Sequence, residues 1–510
     1  MGLYDFTIYD VIVRNSRCFN KRAAWLEVSD GRQLTFGQFK DMVDHLAKGL
    51  QDEGLNKGDR IGILGKNSLE YFLLYGAASA LGLIVIPINW RLSGDEVEGN
   101  LADGGPVLVF ADEEYQGLVN GLKGRLKSVK GYYNLGGNKG SLSDFQALLD
   151  NNADFSPEEV ATDDGVVIIH TAAVAGKPRG AVLSHRNILS ATTQFSYTFK
   201  AYKEDVHLNL LPLFHVGGFF IAITAFHAGA LNINMSKFDA EQAVDLIQHK
   251  KITMLFDFAP ILASILDQAE KSGKDISTLR MVAGLDSPET IERYQRTTGG
   301  EFFAVYGQTE VSALVTISPY NEKPGSAGRP LPLADVRIFD NYDNELNAGQ
   351  VGEIVVRGPM VFNGYWNLPE ETEYALREGW HHTGDQGRFD EDGFLWYAGR
   401  KAEKELIKPG GENVYPAEVE KVILQHPAVE KTVVFGVPDP KWKEGIKAVC
   451  QLKKGIKLEP QELIDFVGER IARFKKPQYV EFVSDIPLLD NGLPDRAKVK
   501  ELYGKEEAVK

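Results

Sequence analysis

Residues suited to a phosphorylated ligand recur at three places in the chain. Val166–Arg186 reads VVIIHTAAVAGKPRGAVLSHR: an apolar run, Val166–Ile169, a small-residue loop with Gly176, Pro178 and Gly180, a second run, Ala181–Leu183, and a Ser-His helix start. Glycine lets backbone N–H groups approach an anion, and Lys177 and Arg179 supply positive charge, so this unit is a candidate phosphate turn. It is not the common P-loop, because Thr171 and Pro178 stand where that motif needs Gly and Ser or Thr. Taken alone it also reads as a surface hairpin. Ala304–Glu310, AVYGQTE, sets an aromatic ring, a glycine, a hydroxyl and a carboxylate just past a strand's carboxyl end, where ligands gather in α/β sheets. There Tyr306 can stack on a base, Thr309 can bond a phosphate and Glu310 can hold a divalent cation through oxygen. A turn with a capped helix is the plain alternative. Trp380–Asp385, WHHTGD, places a carboxylate in a glycine turn suited to two vicinal ribose hydroxyls, against the reading of a solvated turn.

The elements around these stretches alternate between helix and strand signals. Thr35–Gln38 forms a capping box ahead of Phe36, Phe39, Val43, Leu46 and Leu50 at helical spacing. Arg60–Leu64 and Val107–Phe110 read as strands, with a capped helix from Ser93 between them. Leu208–Leu211, Met254–Phe256, Arg280–Ala283 and Phe302–Val305 continue the strand series, and residues 131–162 look like a solvated excursion. This alternation predicts an α/β region with largely parallel sheet. From Leu333 short glycine-rich β pieces follow: Val336–Phe339, Gly352–Val356, Gly364–Trp366 and Phe394–Tyr397. Charge and glycine then cluster at Gly399–Gly411, as at an interdomain hinge. Thr432–Val437, Ala448–Leu452, Pro460–Ala472 and Tyr479–Val483 supply a small α+β domain of their own.

Composition narrows the function classes. A chain of 510 residues with formal charge -15 is too long for one ordinary domain and too acidic for a nucleic-acid surface. Its two cysteines, Cys18 and Cys450, offer neither a metal spacing nor a disulfide framework, which fits a reducing, cytoplasmic setting. The N-terminus has no basic start leading into an apolar stretch, and Phe6 replaces the Ser or Thr of a myristoylation signal. Tyr71–Ile86, the most apolar run, contains Gly76 and Gly82, stops at Pro87 and is short for a membrane span. It reads as a buried helix leading into a strand.

GKPRGAVLSH, PLFHVGG, YGQTE, GSAGRPLP, GEIVVRG, GYW, TGD, the Gly-Arg pair at 399–400 and GGENVYPAEVE follow one another in this order. On these motifs the chain resembles the adenylate-forming superfamily of acyl-CoA synthetases, nonribosomal-peptide adenylation domains and firefly luciferase, over nearly its whole length. The resemblance implies a large N-terminal region of α/β sheets plus a β-rich subdomain, 1–399, a hinge, 400–404, and a small mobile α+β domain, 405–510. It implies ATP, Mg2+ and CoA, and a small carboxylic acid, fatty acids included, as the partners; monomer and homodimer stay open. It casts Tyr306 at adenine, Gly307 and Gln308 among the nucleotide-binding residues, Thr309 at the α-phosphate and Glu310 as the magnesium ligand. Asp385 and Arg400 are cast at ribose. Thr171, Gly176, Lys177, Arg179 and Gly180 form the phosphate loop, and His215 stands beside the acyl carboxylate. The acyl pocket would be lined from His215–Ile221, Phe256–Ala259, Ala283–Ser287 and Val305–Gly307. Phe219, Phe256 and Phe258 there favour an apolar or ring-bearing acid; Asp257 and Asp286 read as helix caps, with a hydrogen bond to a polar substituent of the acid as the alternative. The implied reaction joins the acid to AMP with loss of pyrophosphate, then passes the acyl group to a thiol.

Two departures from the family pattern touch the electrostatics of that reaction. The loop, usually Thr-Ser-Gly-Thr-Thr-Gly, reads Thr171-Ala172-Ala173-Val174-Ala175-Gly176, so hydroxyl donors are lost. The C-terminal signature, usually Gly-Lys with an Arg three residues on, reads Gly492-Leu493-Pro494-Asp495-Arg496. Leu493 therefore replaces the lysine that bridges carboxylate and α-phosphate, with Lys498 as a candidate substitute. Extra residues after Arg400 leave Lys401 and Lys404 as alternative pivots. These departures keep two other readings open: an enzyme of the thiol-transfer half alone, and a non-catalytic nucleotide- or acyl-binding relative.

Overall fold

The computed structural model describes residues 2–136, 140–171, 178–400, 406–412, 414–440, 442–488 and 494–504. Two units emerge: Met1–Trp90 with Asn100–His170 and Gly180–Gly399, and Arg91–Gly99 with Thr171–Arg179 and Arg400–Lys510.

Local signals account for the helices of the first unit. The capping box is made as the sequence predicts: Thr35 Oγ1 accepts the Gln38 N–H at 3.2 Å and the Gln38 side chain accepts the Thr35 N–H at 2.9 Å. The helix Phe36–Asp52 then buries Phe36, Phe39, Val43, Leu46 and Leu50. Ser68 caps Leu69–Leu81, a helix buried along its whole length that ends at Gly82, φ 64°, and feeds the strand Ile84–Ile88. Among the described residues no helix is long and apolar enough to cross a membrane.

A nine-stranded sheet runs in the order Arg329–Pro330, Thr316–Pro319, Glu301–Tyr306, Met281–Leu285, Met254–Phe258, Val206–Asn209, Leu231–Asn234, Ala23–Glu27, Gln33–Thr35. Its middle strands are parallel. A seven-stranded sheet runs Gly364–Tyr365, Arg179–Ser184, Gly165–Thr171, Ile84–Ile88, Arg60–Leu64, Leu108–Ala111, Gly131–Asn134. A four-stranded sheet, Asp335–Phe339, Gly352–Arg357, His381–Phe389 and Leu395–Arg400, forms the β-rich part.

The sequence misplaced three pieces. Gly364–Tyr365 does not join the β-rich sheet: it pairs antiparallel with Val182 and Ala181 in the seven-stranded sheet. The stretch read as a solvated excursion contributes the edge strand Gly131–Asn134, and it buries Tyr133, Phe145, Leu148 and Val160. Its apolar residues are too scattered to show a period. The strand expected at Leu208–Leu211 is Val206–Asn209, because Leu211 and Pro212 already turn toward the helix Val216–Ala228.

In the second unit Val429–Asp439, Lys443–Leu452 and Tyr479–Val483 form a three-stranded sheet. Alternation puts Val434, Ile446, Ala448 and Cys450 in one apolar cluster and Val433, Phe435, Val437 and Val449 in another, so both faces are covered. The helix expected at Pro460–Ala472 ends at Gly468.

Buried histidines set an acid limit on this fold. His185 and His207 are 0% and 1% exposed, and desolvation pushes each down to about 4. The unfolded chain takes up those protons near pH 6.5 while the folded chain does not. Stability from these groups is thus complete above about pH 6.5 and falls as pH drops toward 4, by up to about 3 kcal/mol each. Thermal melts should show Tm falling steadily across that window; a flat Tm from pH 7 to 4 would contradict the assignment.

Candidate active site

The strand Glu301–Tyr306 ends in a turn that folds back on itself. A Cβ on Gly307 would lie 1.8 Å from the Ala313 carbonyl oxygen, so only glycine permits the backbone approach. Ala313 N–H donates to the Gln308 carbonyl at 3.2 Å, and Ser312 and Ala313 hold φ of 56° and 93°, unusual for non-glycine residues. Strain of this kind tends to collect at ligand-binding sites. Thr309 opens a short 3₁₀ turn, half-buried, with Glu310 buried behind it.

This turn meets the TGD turn directly. Tyr306 Oη donates to Asp385 Oδ2 at 2.8 Å, and Gln308 Nε2 lies 3.3 Å from the same oxygen. Burial, then the Asp385 charge, holds the Tyr306 phenol protonated far above its ordinary range, which keeps it a donor. The Tyr306 ring lies 6.1 Å from that of Tyr397, tilted by 33°, and Tyr397 is about half exposed. Gln308 Oε1 is 2.9 Å from His381 Nε2, a partner the sequence did not point to.

Glu310 Oε1 accepts a hydrogen bond from Tyr365 Oη at 2.9 Å. The aromatic of the GYW stretch thus orients the carboxylate expected to hold the cation. A single hard oxygen carboxylate fits Mg2+, which usually takes one or two carboxylates and completes its shell with water and substrate phosphates. Among the described residues no cluster of three or more His, Cys, Asp or Glu side chains could hold a metal ion.

His215 caps the helix Val216–Ala228: its Nδ1 accepts the Gly217 N–H at 3.1 Å. An accepting Nδ1 leaves the proton of the neutral ring on Nε2, so capping selects the tautomer that can donate from the far side. The ring is 6.4 Å from that of Phe258, edge on. A Cβ on Gly218 would fall 2.1 Å from the Pro212 carbonyl oxygen, which fixes glycine there. Of the phenylalanines read as pocket lining, Phe219 stacks on Tyr75 at 4.1 Å and is fully buried, and Phe256 packs on Phe195 at 6.4 Å. Both are core residues. Asp257 Oδ1 accepts the Leu262 N–H at 3.0 Å in the first turn of the helix Ile261–Ser272, though Pro260 holds its N-cap position; Asp286 bonds the Ser287 N–H at 2.6 Å, and the cap expected of it is made by Ser287, which accepts the Thr290 N–H at 3.2 Å.

Thr171, Arg179 and Arg400 fall in the second unit, where Thr171 Oγ1 donates to the Arg179 carbonyl at 3.3 Å. Gly180 lies in the first unit; a Cβ on it would come within 2.6 Å of Ile168 Cγ2 and 3.3 Å of Trp366 Cβ. Gly176, Lys177, Lys401, Lys404 and Leu493 lie outside the described residues. Arg496 binds Glu420 at 2.6 Å and the Val434 carbonyl at 2.9 Å. Lys498 is taken up by Glu501 at 3.0 Å on its own helix.

Residues 13–366 match the family described as AMP-binding enzyme, and residues 418–493 match the AMP-binding enzyme C-terminal domain. The chain is 32% identical over 483 residues to an indoleacetate–CoA ligase of Aromatoleum aromaticum, covering 93% of this chain and 94% of that one. It is 33% identical over 497 residues to a fatty acid–[acyl-carrier-protein] ligase of Streptomyces coeruleorubidus, with 94% of each chain covered. Among solved structures, an amide bond synthetase from Marinactinospora thermotolerans superposes with TM-score 0.88 at 25% identity, covering 98% of this chain and 100% of that one.

Proposed function

Because this chain belongs to the AMP-binding enzyme family of adenylate-forming ligases, we propose that it activates a carboxylic acid with ATP and transfers the acyl group to CoA. CoA ligases of this family use ATP, Mg2+ and CoA. In the first half the acid's carboxylate oxygen attacks the α-phosphorus, and the bond to the bridging oxygen breaks with release of pyrophosphate. In the second half the CoA sulfur attacks the acyl carbon, the bond to AMP breaks, and the thiol proton leaves to solvent.

Two anions must meet in the first half, so donors fixed in advance lower the barrier most. Tyr306 and Asp385 hold the nucleoside, Thr309 bonds the α-phosphate, and His215 presents its Nε2–H to the carboxylate. Mg2+ held at Glu310 would offset phosphate charge. By the family pattern, Arg400 would help to hold ribose, Arg179 and Lys177 would supply charge for the outer phosphates, and the C-terminal domain would turn about 400–404 between the halves. The observation that carries this reading is the convergence of Tyr306, Gln308 and Asp385 on one hydrogen-bonded point, with Glu310 four residues along the same turn. The unpaired Cys18 and Cys450 support a cytoplasmic enzyme.

The relatives differ in acceptor, and the choice of CoA follows the ligases among them rather than the amide synthetase. The second reading, transfer from a preformed adenylate only, is favoured by Leu493 and the hydroxyl-poor loop. Calorimetry with MgATP tests the nucleotide site without knowledge of the acid. Asp385→Ala is expected to weaken binding by about tenfold or more, the worth of a hydrogen bond to a charged group. Equal affinity in wild type and variant would remove Asp385 from the site.

A further inference from the structure

The turn that carries Asp385 is a break in a β-ladder, and a buried carboxylate fills the break. In the pairing of Gly352–Arg357 with His381–Phe389, Glu353 faces Gln386 and Val355 faces His382, so the register slips between them. Thr383, Gly384 and Asp385 are the residues pushed out. Bulges of this type re-aim a side chain at the cost of ladder hydrogen bonds. Here the losses are made good from the neighbouring strand. Glu353 Oε1 accepts the Gly384 N–H at 2.8 Å, and Thr383 Oγ1 donates to the Ile354 carbonyl at 2.6 Å. Gly384 sits at φ 71°, a conformation that needs glycine.

Glu353 is itself braced. Its Oε2 is 3.1 Å from His382 Nδ1 and 3.6 Å from Arg377 Nη2, and Arg377 also pairs with Asp343. Glu353 and His382 are 4% and 2% exposed. A carboxylate buried this far is costly unless paired and hydrogen-bonded, and here its partners lie on the strand or beside the turn that presents Asp385. We propose that Glu353 is a positioning residue for the ribose hydroxyls: it fixes the Gly384 amide, which fixes the direction in which Asp385 points. The inference rests on the reading of Asp385 as the ribose ligand.

The test compares MgATP with Mg-2′,3′-dideoxy-ATP by calorimetry on the full-length protein, because a general loss of order lowers both affinities alike. Wild type should prefer ATP, and Asp385→Ala, which removes every acceptor for the hydroxyls, should erase the preference. Glu353→Asp keeps the charge but is one methylene too short to reach Gly384. It should shrink the preference by about tenfold, the worth of one charge-assisted hydrogen bond. Glu353→Gln, which keeps the reach and an acceptor oxygen, should retain the preference within about threefold. Melting curves accompany each variant. If Glu353→Asp does not fold, Glu353→Asn, equally short but with no charge to bury, takes its place with the same expected shrinkage. An unchanged ratio in the Glu353→Asp or Glu353→Asn protein, with Asp385→Ala having erased it, overturns the positioning role. An unchanged ratio in Asp385→Ala overturns the ribose reading and this inference with it.

Discussion

Leu493→Lys is expected to speed acyl-adenylate formation by about 10²–10³-fold while leaving thioester formation from supplied acyl-AMP nearly unchanged. In the family a lysine at this place neutralises carboxylate and α-phosphate as they meet. One preorganised donor of this kind is worth roughly 3–4 kcal/mol in the transition state. Leucine supplies no charge and no donor. Lys498, the nearby cation in sequence, pairs with Glu501 on an exposed helix face. The two halves are separable in assay: pyrophosphate release reports the first, and thioester from acyl-AMP reports the second. If the wild type already forms adenylate as fast as Leu493→Lys, and Lys498→Ala does not slow it, the deficit assigned to Leu493 is wrong.

The second large effect belongs to Glu310. Glu310→Gln keeps an oxygen to accept the Tyr365 hydroxyl, so the turn should stay folded while the carboxylate we propose for the cation is gone. Pyrophosphate release should fall by about 10²-fold or more, since offsetting the charge on the transferring group supplies much of the rate in such reactions. The Mg2+ concentration needed for half-maximal rate should rise with it, and thioester formation from acyl-AMP should change little. An unaltered Mg2+ dependence would show that another group holds the cation.

The sequence made much of this site visible because each residue there does one local job in one short motif. Tyr306, Gln308, Glu310 and Asp385 were all marked as candidates, and the fold brings Tyr306, Gln308 and Asp385 into contact. The parallel α/β core was legible for a similar reason: capping boxes and apolar runs are written within a few residues, as at Thr35. What lay beyond reach was decided by distant pairing. Glu353 bonds Gly384 across a strand pair, and Tyr365 reaches Glu310 across 55 positions. Nothing in the spacing of GEIVVRG or GYW announces either. For Phe219 an apolar helix next to a glycine pair reads equally as pocket wall and as core, and the fold stacks it on the Tyr75 ring. Gly364–Tyr365 misled because a two-residue strand takes its sheet from its partner and not from its neighbours in sequence.

The central claim is that this chain couples an acid to AMP and then to CoA at one site. It is tested most directly by following pyrophosphate and acyl-CoA together, with MgATP, CoA and a panel of aliphatic and aromatic carboxylic acids. At least one acid should release pyrophosphate and yield its CoA thioester in equal amounts, and Asp385→Ala should depress both. Thioester formed from supplied acyl-AMP, with no acid in the panel releasing pyrophosphate, would contradict the account and leave the transfer half as the enzyme's whole reaction.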